Sequence, residues 1–306
     1  MKAPFPYFGG KSGAAQTVWA ALGPVRRYIE PFFGSGAVLL ARPPHTMPSA
    51  RPYECANDAD GLLVNVWRSI QRHPDEVWTH ANQPAHEVDL HAKHRALIRW
   101  RESGALDRLV DDPRWCDPEM AGWWVWGACN WIGGGWGAFE WRGKPRDLAG
   151  CMLSPSALDN GPSVLRALSA RLANVATCYG SWERVITESY LFAKHPRHRV
   201  PVGVFLDPPY SAEAGMTGNL YAADDLTVAH DVRRWCLEWG SNPSLRIVLA
   251  GFDVEHAELE AHGWRAVEWF SGSGGYARGN HQMHRERLWL SPHCLDVEAP
   301  RQESLF

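Results

Sequence analysis

Apolar residues along this chain switch between helical and strand-like spacing, and the switches mark its elements. Residues 13–22 carry a helical pattern and lead into Tyr28, Ile29 and Glu30, a short strand that stops at a glycine-bearing loop over 31–36. Residues 37–41 open another helix. A second strand is expected over 51–56, with Asn57 and Asp58 as its polar end, and Leu62, Leu63, Val66, Trp67 and Ile70 then recur at helical spacing. Strand, loop, helix, strand, helix is the opening of a doubly wound, Rossmann-like α/β sheet.

From about 74 to 172 the strand signal fades, and helical stretches over 90–101, 118–132 and 156–172 take its place. The centre of that region, Gly133, Gly134, Gly135, Trp136 and Gly137, is too rich in glycine for a helix interior; it reads as a loop, followed by Arg142, Lys144 and Arg146. Strand patterns return over 175–179, 202–206, 245–250 and 266–270, with a last strand over 286–290. The glycine-rich stretch 271–282 reads as a mobile loop before that strand. The expected organisation is a sheet domain over 1–73 and 173–292, a helical insertion over 74–172 and a polar, peripheral tail over 293–306.

A chain of 306 residues, 45% of them hydrophobic, is long enough for one large core with an insertion. Its seven cysteines form no CxxC pair and are odd in number, which speaks against a disulfide framework or a cysteine-rich zinc site and for a reducing, cytoplasmic setting. The first ten residues lack a basic start followed by an apolar stretch, and no run approaches the ~18 apolar residues of a membrane span. With 31 basic and 34 acidic residues the net charge is -3, so a polyanionic partner has to be argued locally. The 17 tryptophans, several between Trp115 and Trp141, are expected to pack rather than to stack on bases.

The sharpest local signal is Val204, Phe205 and Leu206 running into Asp207, Pro208, Pro209 and Tyr210. A buried strand here delivers a carboxylate, two rigid residues and an aromatic at its carboxyl end, where open α/β sheets bind ligands. An exocyclic amine on a planar ring has a delocalised lone pair, and acceptors on its two hydrogens draw it toward the tetrahedral form it needs as a nucleophile. Tyr210 offers a flat face for a base taken out of a duplex. The second signal is Glu30, Pro31, Phe32, Phe33, Gly34, Ser35 and Gly36 between strand and helix. Its glycines let a ligand approach the backbone, and it lacks both GxGxxG and the Walker Gly-Lys-Ser/Thr ending. Asp58 stands where a carboxylate accepts from ribose hydroxyls, with helix capping as the alternative. Tyr7, Phe8, Gly9, Gly10 and Lys11 form a glycine-bearing turn with a cation suited to a cofactor carboxylate. The histidine pairs His91/His94, His195/His198 and His281/His284 come with no complete ligand set, so no metal is expected.

Taken in order, Gly9-Gly10-Lys11, the Pro31-Phe32-Phe33-Gly34-Ser35-Gly36 loop, Asn57-Asp58, a helical region and Asp207-Pro208-Pro209-Tyr210 resemble the DNA adenine methylase family of the alpha class, phage and restriction-system members included. The resemblance covers nearly the whole chain, and the closing segment Arg285 to Ser291 is similar to that of phage relatives. It implies an S-adenosylmethionine-dependent methyltransferase sheet with a helical target-recognition insertion. Lys11, Glu30 to Gly36 and Asp58 would hold S-adenosylmethionine, and Asp207 to Tyr210 would hold a flipped-out adenine for N6-methylation. Double-stranded DNA is the implied partner, its phosphates met by Arg142, Lys144 and Arg146, and a restriction endonuclease is compatible with the resemblance. Many members have an acidic residue followed by Phe near position 180, where this chain has Gly180, Ser181 and Trp182; Ser181 and Trp182 are the expected contacts to the cofactor's adenine. Methylation of RNA adenine, cytosine N4 or protein glutamine, or a catalytically silent nucleic-acid-binding relative, uses a similar turn on a similar sheet and stays open at this stage.

Overall fold

A computed structural model describes residues 1–7, 9–47, 53–132, 136–137, 144–145, 161–192, 200–209, 227–269 and 285–297. Its strands are β1 (Arg27–Glu30), β2 (Tyr53–Asp58), β3 (Trp131–Ile132), β4 (Lys144–Pro145), β5 (Val175–Tyr179), β6 (Val202–Leu206), β7 (Leu245–Phe252), β8 (Arg265–Glu268) and β9 (Glu286–Leu290). The helices are α1 (Ala15–Leu22), α2 (Ala37–Leu40), α3 (Gly61–Arg72), α4 (Pro74–Ala81), α5 (Glu87–Glu102), α6 (Ala105–Asp111), α7 (Pro118–Asn130), α8 (Pro162–Leu172), α9 (Glu188–Phe192) and α10 (Val228–Trp239).

Seven strands form one sheet in the order β5-β2-β1-β6-β7-β9-β8, and β3 pairs with β4 in a separate two-stranded ribbon. The first five run parallel, while β9 is antiparallel to both β7 and β8. The order reverses between β1 and β6, so the connections beyond their carboxyl ends lead away in opposite directions and leave a crevice, the usual ligand position in an open sheet. Both faces of the sheet are covered, which is why β6 reads as an unbroken apolar run. Phe205 joins the cluster built on α1, α3 and the helical insertion, whereas Val204 and Leu206 join the one that contains Val232 and Cys236 of α10.

The insertion packs as a continuation of the first cluster. Val77, Leu97, Trp124 and Val125 share it with Trp67 and Ile70 of α3. Tryptophans do the packing: Phe5 meets Trp124 edge-on at 4.9 Å, Trp100 stacks on Trp115 at 6.0 Å, and the Lys93 ammonium stands 3.7 Å from the Trp126 ring. At the amino ends of the strands Glu54 accepts from Arg42 (3.0 Å) and from Arg171 of α8 (2.6 Å), so a buried carboxylate fastens insertion to sheet.

Several expectations shift. The second strand is displaced along the chain to end at Asp58, so Asn57 and Asp58 lie inside the ladder, paired with Cys178 and Tyr179 of β5. The helices α4, α6, α9 and α10 had no counterpart in the sequence reading. The segment after residue 292 begins packed rather than peripheral, because Cys294 is buried and the Leu295 N–H donates to Ala21 O at 2.8 Å. Residues 133–135, 156–160 and 270–284, with the expected mobile loop among them, lie outside the described residues. Among the described residues, no helix is long and apolar enough to cross a membrane.

Candidate functional site

The crevice at the switch point holds a cavity of about 410 Å³. The turn after β1 forms one wall. Gly34 takes φ +50° and Gly36 φ +64°, conformations that favour glycine, and a Cβ on Gly34 would come within 2.9 Å of the Tyr7 ring. Bonds from outside fix the loop, among them Phe33 N–H to Asn57 O (2.8 Å), Gly34 N–H to Asp58 Oδ2 (2.8 Å) and Trp67 Nε1–H to Gly34 O (2.9 Å). Asn57 ties two loops together by donating from Nδ2 to Pro31 O and to Gly180 O, both at 3.0 Å.

Asp58 therefore serves the loop directly. Its Oδ1 also accepts from the Asp60 N–H at 2.9 Å, and burial raises its carboxyl to about 6 against the opposing pull of these N–H donors. The capping alternative belongs to Asp60, whose side chain accepts from Leu62 N at the start of α3 and also from Arg101 of α5 at 2.5 Å. Glu30, 2% exposed, lies at the cavity floor, where it accepts from the Tyr28 hydroxyl at 2.8 Å; burial pushes its carboxyl well above the ordinary range.

The opposite wall comes from the end of β6. Asp207 and Pro209 line the cavity, Pro208 is not among its lining residues, and Tyr210 lies outside the described residues. Lys11 donates to Gly9 O (2.7 Å) and pairs with Asp207 Oδ1 (3.0 Å), so the expected cofactor-carboxylate cation is engaged with the β6 carboxylate. Burial raises the Asp207 carboxyl and Lys11 opposes that rise. The turn that delivers Lys11 is closed by Gly10 N–H to Tyr7 O at 3.2 Å.

Of the residues expected at a cofactor, Tyr7, Gly9, Gly10, Lys11, Glu30, Pro31, Phe32, Gly34, Ser35, Asp58, Ser181 and Trp182 line this one cavity. Gly36 does not; it is the N-cap of α2 and faces the Phe33 ring. Phe32 stacks with Trp182 at 6.0 Å and forms an apolar side. Sequence reasoning missed Phe205, Asp60, Glu183 and Asp231. Asp60 carries a signal, since an Asp just before an apolar helix start is a capping pattern. Of the basic trio, Lys144 belongs to the β3–β4 ribbon, and Arg142 and Arg146 lie outside the described residues.

Among the described residues, no three His, Cys, Asp or Glu side chains converge as a metal site. His94 is buried and its Nδ1 accepts from the Gly137 N–H at 3.2 Å; His195, His198, His281 and His284 lie outside the described residues. No protein-family model matches the chain, and no curated protein matches it.

Proposed function

We propose that this protein is an S-adenosylmethionine-dependent methyltransferase acting on the N6 amine of adenine in DNA. One observation carries the reading: the glycine loop after β1 and the end of β6, through Asp207 and Pro209, bound the same cavity at the switch point of the sheet. Charge narrows the ligand. Among the described lining residues, Glu30, Asp58, Asp60, Glu183, Asp207 and Asp231 stand against Lys11 as the single Lys or Arg, and Lys11 is already paired with Asp207. Phosphates would enter that field at a cost, while a ligand bearing a sulfonium and an ammonium is favoured by it.

S-adenosylmethionine, when bound, supplies a methyl group on a positively charged sulfur. The chain's own residues do the rest. Gly9, Gly10 and Gly34 bring backbone to the cavity surface, Asp58 and Asp60 present acceptors for ribose hydroxyls, and Phe32 with Trp182 gives an apolar side for a purine. Asp207 accepts from the target amine, and its charge stabilises the positive nitrogen that develops during transfer. A carboxyl raised by burial is also a better acceptor for the proton that nitrogen then loses. Positioning supplies much of the acceleration, and no covalent enzyme intermediate is needed. Contact with DNA phosphates falls to Arg142, Lys144 and Arg146.

Incubation with S-adenosylmethionine labelled in the methyl group, then digestion of the DNA to nucleosides, is expected to yield N6-methyladenine. Asp207→Ala should abolish transfer while cofactor binding persists. Label in cytosine N4, RNA or protein glutamine, binding without turnover on any DNA, or full activity in that variant would overturn the reading.

A further inference from the structure

Strands β2 and β5, whose carboxyl ends lead to Asp58 and Gly180 of the cavity lining, also bring two thiols together. Cys55 on β2 and Cys178 on β5 place their sulfurs 3.8 Å apart, and both remain free thiols. The ladder pairs Asn57 with Cys178, so Cys55 is the diagonal neighbour of Cys178 on the same face. Tyr190 of α9 completes the group, its hydroxyl 3.3 Å from Cys178 Sγ and 3.7 Å from Cys55 Sγ. Cys55 is buried, whereas Cys178 is half-buried and stands two residues before Gly180 of the cavity wall.

A sulfur that receives hydrogen bonds from two neighbours is held in its ionised form. Donation from Cys55, then from the Tyr190 hydroxyl, lowers the Cys178 thiol to about 6 against the opposing effect of burial, with the Arg184 charge adding to the lowering. Cys55, as donor, is raised. The other described cysteines differ in access or in charge. Cys129, Cys236 and Cys294 are buried, and Cys116, half-buried like Cys178, is raised by burial.

We propose that Cys178 is a modification site for soft carbon electrophiles, with Cys55 and Tyr190 as the donors that hold its nucleophilic sulfur. In the step itself the Cys178 sulfur pair forms the S–C bond as the carbon–halogen bond of an alkyl halide breaks, and halide leaves with the bonding electrons. At pH 6.5 a thiol of pKa about 6 is mostly ionised and one of pKa about 8.5 only about 1% so, but the weaker base is also the weaker nucleophile. The two effects combine to an advantage of at least about fivefold over Cys116.

The test is a timed pulse of iodoacetamide on the native full chain, followed by unfolding, heavy-isotope iodoacetamide and peptide mass spectrometry. Cys178 is expected to react at least about fivefold faster than Cys116 at pH 6.5, with a pH–rate midpoint near 6. Cys55→Ala should slow Cys178, and Cys55→Ser, which restores a donor, should recover much of the rate. The midpoint is read on the unaltered protein and stands even where a variant misfolds. Labelling of Cys178 no faster than Cys116, or a midpoint above about 8, would overturn the proposal.

Discussion

Asp58 is pulled two ways, since burial favours its neutral form while the Gly34 and Asp60 N–H groups favour the carboxylate. Burial wins and the folded carboxyl titrates at about 6, above the unfolded value near 3.9. Between those values the folded state binds more protons than the unfolded one, so Asp58's contribution to stability is present at low pH and lost as pH rises through about 6. Glu30 and Asp207 are shifted in the same direction at the same cavity. A cationic ligand favours the ionised forms, so its binding releases protons and tightens as pH rises through about 6. Calorimetry of S-adenosylmethionine binding in two buffers of different ionisation heat should show net proton release at pH 6 that shrinks by pH 8. Binding with no proton release at pH 6 would contradict it. Asp207 was legible in the sequence because it follows the apolar run of β6, and Asp58 because it stands at the polar end of a strand, just before the apolar periodicity of α3. Asp231 was not, because its place on the cavity depends on how α10 crosses β6, a relation no local pattern encodes.

The loop between β1 and α2 is the element on which the site turns, and its backbone is specified by two glycines. Gly34→Ala puts a side chain into left-handed backbone and 2.9 Å from the Tyr7 ring, whereas Gly104→Ala meets left-handed backbone with nothing nearer than Asp107 Oδ2 at 4.0 Å. The left-handed penalty alone is about 1–2 kcal/mol. Gly34→Ala should lose that and more in urea denaturation and weaken cavity ligands; Gly104→Ala should lose only the backbone part and leave ligand binding intact. Equal losses in both variants would mean that Tyr7 does not constrain the loop. Elements buried on two faces announced themselves: β6 was read with its observed bounds from an apolar run alone. The helix α10 went unread although Val228, Val232, Trp235, Cys236 and Trp239 recur at helical spacing. The short helices are defined more by packing than by their own pattern, α4 on α7 and α8 and α6 on α5 and α3.

At the scale of the whole molecule, the insertion and the sheet share one apolar cluster, in which Leu97 of α5 and Trp124 of α7 belong with Trp67, Phe205 and Val248. Two polar links reinforce the joint, Arg171 to Glu54 at one end and Arg101 to Asp60 at the cavity. Neither link was legible, because each joins residues far apart in sequence (117 and 41 positions) whose types are common on any surface. A shared core makes unfolding cooperative, since no boundary separates the apolar contacts of one part from those of the other. Leu97→Ala, at a fully buried position, should destabilise the chain by about 2–5 kcal/mol. Because the cavity left in α5 opens into the same cluster as the sheet, that loss should shift helical circular dichroism and tryptophan emission together to lower denaturant. A variant whose helical signal melts early while the sheet persists would show instead that the insertion unfolds alone, with Arg171 and Arg101 too weak to couple it to the site.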